Sequence, residues 1–315
     1  MAIGHFKAVT PPNFDSLYYQ GCARLELDKR DEIFNAIENF NEALKLKIPQ
    51  SKHEINIYYK RAFACALIGQ YAEAIIDYTI YIQKDESNAH KGYLSRGLVY
   101  SEIKQYENAL KDIQKANDLL KCSKYYTYCL AKAKAFLGQV VEAKKDFESL
   151  INTCASECQT PEKNFDTHYY YGLALYERQR YSAARKQFEE ALKFPKNKQE
   201  VNALYYSGLT LNALGDIKGA TEKLEEANKS NENHISSLIR LAMITSENDD
   251  LQSDALKYLN QAHNAAPHRM DVLYIRGELH RKMGQIGACI RDHQLALQLE
   301  EKETNSLAMR HDYEV

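Results

Sequence analysis

The chain lacks a charge excess, a membrane-length apolar run and a secretory signal. Its net charge of −2 over 315 residues gives no general attraction to phosphate backbones or anionic membranes. No apolar stretch approaches the roughly 18 residues that cross a bilayer. The first residues, MAIGHFKAVTPPNF, lack the apolar core of a secretory leader. We therefore expect no nucleic-acid binding, no membrane insertion and a cytoplasmic location.

Cysteine occurs seven times, an odd number that does not suggest a complete disulfide framework. Four of these residues fall within predicted helices: Cys22, Cys65, Cys129 and Cys289. A thiol in such a place behaves as a small hydrophobe, which fits a reducing compartment.

Cys154 and Cys158 differ from the others because they lie in the connecting segment CASECQTPEKN. A zinc site there would need two further ligands at short spacing. Cys122, Cys129 and His168 qualify only if folding collects them. We expect no metal and no other cofactor; a zinc ion and a regulatory disulfide are the alternatives for this pair.

Catalytic motifs are missing as well. The chain has no G-x-S-x-G elbow, no G-x-x-x-x-G-K phosphate loop, no G-x-G-x-x-G and no H-E-x-x-H. The ten histidines are scattered, and paired carboxylates fall on predicted outer helix faces. The sequence therefore predicts a protein that is not an enzyme, with a thiol catalyst around Cys154 and Cys158 as the last alternative.

What the chain does contain is a small residue that recurs at intervals of 34 to 41 residues: Gly21, Ala62, Gly97, Ala131, Gly172, Gly208, Ala242 and Gly277. A second column keeps the same spacing: Ala36, Ala74, Ala109, Ala143, Ala184, Ala220, Ala255 and Cys289. So does a third: Ala43, Tyr81, Ala116, Leu150, Ala191, Ala227, Ala262 and Ala296. A period in this range indicates an array of repeated helix pairs.

Each unit is predicted to be a helix, a tight turn and a second helix. The second and third columns are seven residues apart, nearly two helical turns, so they share one face. Gly or Ala at these positions lets the facing helix approach closely. Glycine follows the first column by seven residues in four units: Gly69, Gly138, Gly215 and Gly284. Glycine can take the left-handed conformation that ends a helix.

At these columns the chain resembles the tetratricopeptide repeat family, most plainly in YLSRGLVYSEIKQYENALKDIQKA and YYYGLALYERQRYSAARKQFEEALKFP. The resemblance implies an all-α fold, a right-handed α-solenoid of about eight tandem helix-turn-helix units. These begin near residues 14, 55, 90, 124, 165, 201, 235 and 270. We expect an N-terminal extension over 1–13, the array over 14–303 with a longer connection at 154–164, and a tail over 304–315.

In that family the first helix of every unit lines a concave groove, and peptides or partner helices lie along it. Carried onto this sequence, the groove positions are rich in tyrosine with isolated cations: Tyr18, Tyr59, Lys60, Tyr128, Lys132, Tyr169, Tyr170, Tyr205, Tyr206, Arg240 and Tyr274. Tyrosine suits recognition, since a large rigid ring carries a polar hydroxyl. We expect the strongest contacts at Tyr169–Tyr170 and Tyr205–Tyr206. The alternative is that these rings pack between units, because tyrosine holds one position in six of eight units.

The resemblance implies a non-catalytic scaffold or adaptor for protein partners. The main alternative is a permanent structural subunit of a large cytoskeletal or ciliary assembly. A co-chaperone role is less favoured, because the family's carboxylate clamp is represented only by Lys91, while Tyr18, Cys22, Lys60 and Ser95 replace its other members.

The last unit is expected to end the array with a polar outer face built from Arg291, Asp292, Gln294 and Gln298. Otherwise this end is open, and a docking partner or a second copy of the chain could cover it.

Overall fold

A computed structural model describes residues 13–27, 29–46, 53–120, 123–160, 163–194, 199–232 and 234–311, with side chains through Lys302. Within these ranges the regular structure is entirely helical, and adjacent helices pack in pairs. The predicted all-α class and the helix-turn-helix units are therefore confirmed. Residues 1–12 of the predicted N-terminal extension and 312–315 of the predicted tail lie outside the described residues.

The first helix of each pair has an odd label and the second an even label. The first three pairs are α1 (Phe14–Leu25), α2 (Arg30–Lys45), α3 (Glu54–Leu67), α4 (Tyr71–Lys84), α5 (Ala89–Glu102) and α6 (Tyr106–Leu119). The next three are α7 (Lys124–Phe136), α8 (Val140–Glu157), α9 (Phe165–Glu177), α10 (Tyr181–Ala191), α11 (Glu200–Ala213) and α12 (Ile217–Ser230). The last two are α13 (Ile235–Thr245), α14 (Gln252–Ala265), α15 (Met270–Lys282) and α16 (Ile286–His311). Short 3₁₀ helices, Glu86–Asn88 and Asp249–Leu251, precede α5 and α14.

The chain divides into two compact units. The first comprises Met1–Cys122 with Ser306–Val315 and contains α1 to α6. The second comprises Ser123–Asn305 and contains α7 to α15 with α16 as far as Asn305.

Polar residues cap several of the first helices. The Asn13 Oδ1 atom accepts a hydrogen bond from the Ser16 amide at 2.8 Å, and the Ser16 hydroxyl accepts one from the Asn13 amide at 3.0 Å. Asn164 caps α9 in the same way through the Thr167 amide. These bonds satisfy amides that have no partner inside the helix, and so fix where each helix begins.

The small-residue columns form the seam within each pair. Six of the eight second-column residues have no exposed surface: Ala36, Ala74, Ala109, Ala184, Ala220 and Ala255. A Cβ atom added to Gly172 would lie 2.6 Å from the Cε1 atom of Phe188, closer than atoms can approach. The large ring of the second helix therefore occupies the space that glycine leaves on the first.

Six of the described turns between paired helices share one backbone conformation. Gly69, Gly138, Gly215 and Gly284 have φ between +71° and +81°. Lys104 and Gln179 occupy the same place in two other units, with φ of 62° and 57°. The glycine turn expected from the sequence thus also forms where glycine is missing.

Arginine joins consecutive units at three places. Arg61 on α3 donates to both carboxylate oxygens of Asp77 on α4 at 2.7 Å, and to Asn41 on α2 at 2.7 Å. Arg96 repeats this geometry with Asp112 and Thr79, and Arg276 with Asp292 and Asn260. Each guanidinium therefore connects both helices of its own pair to the second helix of the preceding pair. Bidentate pairing of this kind fixes orientation as well as distance.

The helix ends add detail to the predicted segment boundaries, and the surface position expected for Asp292 needs correction. α8 continues to Glu157, so residues 154–157 of the predicted connection are helical, because fully buried Cys154 extends the apolar face of Leu150 and Ile151. α16 continues to His311, so much of the predicted tail is helical. Asp292, expected on a polar outer face, is buried at 7% exposure because it pairs with Arg276.

None of the helices in the described ranges combines the length and the apolar character that crossing a membrane requires.

Candidate partner-binding surface

Five of the predicted groove tyrosines meet on three first helices of the second unit. Tyr128 lies on α7, Tyr169 and Tyr170 on α9, and Tyr205 and Tyr206 on α11. The ring centroids of Tyr128 and Tyr170 are 6.5 Å apart, and the Phe188 ring lies between Tyr169 and Tyr206, at 6.4 and 6.2 Å from their centroids. Because equivalent positions of stacked units lie side by side, the fold collects these five residues, which we call the tyrosine cluster.

Within the tyrosine cluster, the rings differ in exposure. Tyr128, Tyr169 and Tyr170 keep 8%, 5% and 4% of their surface exposed, so they pack between helices. Burial raises the pKa of all three phenols, which therefore stay neutral. Tyr205 and Tyr206 are only half-buried and keep surface that a partner could contact.

Lys132, a predicted groove cation beside the tyrosine cluster, forms an ion pair with Glu177 of α9. Lys132 Nζ lies 3.0 Å from Glu177 Oε1, and the Tyr128 hydroxyl donates to the same oxygen at 3.1 Å. Burial alone would lower the pKa of Lys132, but attraction to Glu177 outweighs it and the pKa is raised. Lys132 also lies 5.3 Å from the ring centroid of Phe136, in a cation–π contact. A ligand would therefore meet a balanced ion pair rather than a free positive charge.

Arg240 on α13 extends the cluster to the next unit. Burial raises the pKa of Tyr205, while the charge of Arg240 and a hydrogen bond from it act in the opposite direction. The Tyr205 ring also meets His234 edge-on, with centroids 5.4 Å apart. Arg240 and Tyr205 are both half-buried, so they present a cation and a phenol at one place on the surface.

The predicted groove residues of the first compact unit contact neighbouring side chains. Tyr18 is buried and stacks on His53 with ring centroids 4.4 Å apart. The Tyr59 hydroxyl is 3.1 Å from the Ser95 hydroxyl, and its ring packs 5.0 Å from that of Tyr81. Lys60 is half-buried beside them on α3. Tyr18 is thus a packing residue, whereas Tyr59 and Lys60 retain accessible surface.

Tyr274 borders a cleft that the sequence does not reveal. The cleft, of about 370 Å³, lies between α13 and α15 of the second unit. Its wall includes Met243, Glu247, Tyr274, Ile275, Glu278 and Lys282. Of these residues only Tyr274 is a predicted groove residue, and the space beside it depends on helix spacing, which residue patterns do not give.

Cys158 lies near a histidine, and burial raises the pKa of both thiols of the Cys154 and Cys158 pair. Cys158 Sγ lies 3.7 Å from His168 Nδ1, an atom that is also 2.9 Å from Gln187 Oε1. Burial raises the pKa of Cys154 to about 12 and also raises that of Cys158, which suppresses the reactive thiolate. Among the described residues, no three His, Cys, Asp or Glu side chains are grouped to hold a metal ion. Cys122, one of the ligands considered for zinc, lies outside the described residues.

These paired helices and their repeated seams define a helical-repeat protein. Residues 90–119 match a family model described as Tetratricopeptide repeat. The crystal structure of a tetratricopeptide repeat protein from Parabacteroides merdae ATCC 43184 is similar, with a TM-score of 0.54 and 14% sequence identity. That similarity covers 84% of this chain and 98% of the other.

A second similar structure is the crystal structure of the APC/C hetero-tetramer Cut9-Hcn1, with a TM-score of 0.52 and 10% identity. The similarity covers 98% of this chain but 58% of that one, so this chain spans little more than half the length of that relative. No curated protein sequence matches this chain significantly. At such identities the likeness concerns the fold alone, which resembles that of tetratricopeptide repeat proteins, and the family model matches one repeat, residues 90–119.

Proposed function

We propose that this protein is a non-catalytic scaffold that binds a peptide or helix of a partner protein along the first helices of its repeats. The match of residues 90–119 to a tetratricopeptide repeat model and the similar fold of a solved repeat protein support protein partners and a non-catalytic role. The observation that carries the proposal is the half-exposed patch formed by Tyr205, Tyr206 and Arg240 in the second unit.

The environment of this patch favours recognition over mere packing. Tyr206 stacks on Phe188 at 6.2 Å and meets Tyr176 edge-on at 5.8 Å, so its ring is held in place before a partner arrives. A side chain that is already ordered loses little conformational freedom on binding. Buried Tyr128, Tyr169 and Tyr170 then act as the support that positions the contact residues. In the first unit, Tyr59 and Lys60 are the accessible candidates, and Tyr274 is the candidate at the last repeat.

A photo-crosslinking amino acid at position 205 tests the proposal in cells. We expect adducts with one or a few proteins from position 205, and far fewer from position 185, because Arg185 is an exposed residue of a second helix. Equal adducts from both positions would favour the permanent structural subunit, which uses all of its surfaces. Absence of adducts from position 205 would contradict the proposed patch.

For a partner identified in this way, Arg240→Ala should weaken binding about tenfold, the usual cost of removing a contact worth about 1.4 kcal/mol. Arg185→Ala is the matched control and should leave affinity unchanged. Isothermal titration calorimetry measures both. An unchanged affinity in Arg240→Ala, with helicity preserved, would remove Arg240 from the binding surface.

A further inference from the structure

The last second helix, α16, exposes three large apolar residues on one side. Ile286, Ile290 and Leu297 keep 54%, 51% and 53% of their surface exposed. Their spacing of four and seven residues puts them on one stripe of the helix. We call this set the terminal stripe.

The opposite side of α16 is occupied as in other units. Asp292 is held by Arg276 of α15, and Ala296 has no exposed surface. A Cβ atom added to Gly277 of α15 would lie 2.7 Å from His293 Cε1, so the two helices are in close contact. The terminal stripe is therefore a second apolar face of α16, separate from the face that packs on α15.

The repeat register identifies the residues that correspond to the terminal stripe. Counting from the second-column residue, the equivalents on α2 are Ile33, Ile37 and Leu44, and those on α4 are Tyr71, Ile75 and Ile82. The remaining second helices carry at least one polar or charged residue at these three positions, such as Lys144 on α8 and Asn228 on α12. The terminal stripe thus has the composition of α2 and α4.

On α2, the first helix of the following unit covers these positions. Ile33 is buried in a cluster with Ala64 and Ile68, and Leu44 packs against a cluster that contains Ile57. Ile57 and Ala64 belong to α3, and Ile68 follows its last residue. A stripe of this composition is therefore the surface on which the next unit's first helix lies.

The same holds for α4 and the helix that follows it. Ile75 packs against a cluster that includes Val99 of α5. A Cβ atom added to Gly92 of α5 would lie 2.6 Å from Ile82 Cγ1, so α5 lies directly on the stripe.

We infer that the terminal stripe is a docking site for an amphipathic helix of a partner protein, which takes the place of the first helix of a further repeat. α16 belongs to the last repeat that the structure describes, and an outer face that no further repeat covers is usually polar. Here Arg291, Gln294 and Gln298 are exposed, but the stripe itself keeps the apolar composition of an interior interface. The partner helix would present small and apolar residues at the spacing of Ile57, Ala64 and Ile68.

A second copy of this chain fits the terminal stripe less well. Its α1 would have to serve as the next first helix, and α1 has Ser16 where α3 has Ile57 and α5 has Gly92. The Ser16 hydroxyl is engaged with the amide and carbonyl of Asn13 at 3.0 and 2.8 Å. This inference concerns second-helix residues and does not depend on the proposed binding patch of the first helices.

The test uses a fluorescent peptide of residues 53–69, which contains the helix that covers the same positions on α2. We expect saturable binding to the full-length chain by fluorescence anisotropy, and affinity lowered about tenfold or more in Ile290→Asp, because a buried charge is costly. Val141→Asp is the matched control, since Val141 is an apolar residue with 61% exposure on α8. Its affinity for the peptide should equal that of the unaltered chain.

Equal affinity of Ile290→Asp and the unaltered chain, or no saturable binding, would overturn the inference. If Ile290→Asp fails to fold by circular dichroism, Leu297→Gln gives the same comparison. Sedimentation velocity decides on the second copy: a dimer that Ile290→Asp dissociates would make the stripe a contact between copies and would also overturn the partner-helix assignment.

Discussion

At the scale of single residues, the structure shows arginine–aspartate ion pairs that the sequence analysis does not predict. Arg61, Arg96 and Arg276 each precede their aspartate by sixteen residues, a spacing that is visible in the sequence. Charged residues in amphipathic helices are usually expected on the solvent side, as the sequence predicts for Asp292. The structure buries Asp77, Asp112 and Asp292 because a guanidinium satisfies both carboxylate oxygens.

Asp77→Ala should lower the free energy of unfolding by about 2–4 kcal/mol, because the mostly buried Arg61 guanidinium would lose its countercharge. Urea unfolding followed by far-ultraviolet circular dichroism measures the change. Asp118→Ala is the control, since Asp118 is exposed on α6, and it should change stability by no more than about 0.5 kcal/mol. Similar midpoints for the two variants would show that the bridge adds little to stability.

At the scale of helices, the tyrosines show where prediction from the sequence ends. The repeat register correctly indicated that Tyr128, Tyr169 and Tyr205 share a position, and the structure brings the first helices that carry them together. Register alone could not separate the buried Tyr170 from the half-exposed Tyr206, since both follow another tyrosine on a first helix. The difference arises from neighbours outside the repeat pattern, such as Tyr125, whose ring lies 6.2 Å from that of Tyr170.

The start of α13 gives a prediction about pH. His234 Nδ1 lies 2.7 Å from the Ser237 hydroxyl and Nε2 3.3 Å from Asn202 Oδ1, while the ring contacts Tyr205. Burial lowers the pKa of His234 because it disfavours the charged ring. The contribution of neutral His234 to the free energy of unfolding is therefore fully present above the ordinary histidine pKa of about 6.5. It is lost as the pH falls below that value, because the unfolded chain binds the proton before the folded chain does.

We expect the free energy of unfolding to fall between pH 7.5 and pH 5, and to fall less in His234→Gln. Thermal and urea unfolding at several pH values provide the measurement. Burial also lowers the pKa of His263, so some of the pH dependence should remain in the variant. Parallel curves for the variant and the unaltered chain would show that His234 does not contribute.

At the scale of the whole molecule, the periodic small residues determine the fold and leave the partner open. Packing in a repeat array is mostly between neighbours, so the same three columns specify each pair in turn. That is why helix pairs could be predicted over most of the chain from Gly, Ala and their spacing. Binding depends on the residues that differ from one repeat to the next, and a single sequence does not show which partner those residues recognise.

Nearest-neighbour packing predicts that the second compact unit folds by itself. A fragment of residues 123–305 contains five helix pairs, more than the three repeats that stability usually requires. We expect it to show native helicity and a cooperative thermal transition by circular dichroism. A fragment of residues 235–305, with two pairs, should be largely unfolded under the same conditions. Loss of helicity in the longer fragment would mean that this unit needs the rest of the chain.

The turns at Lys104 and Gln179, where φ is positive, have a practical consequence. A residue other than glycine pays about 1–2 kcal/mol to adopt such a conformation, yet both turns keep the geometry of the glycine turns. The helices on either side, and not the residue at the apex, therefore dictate the bend. Apex positions are thus places where a spectroscopic label or a purification handle can be attached with little disturbance to the scaffold, and the exposed amine of Lys104 already offers one.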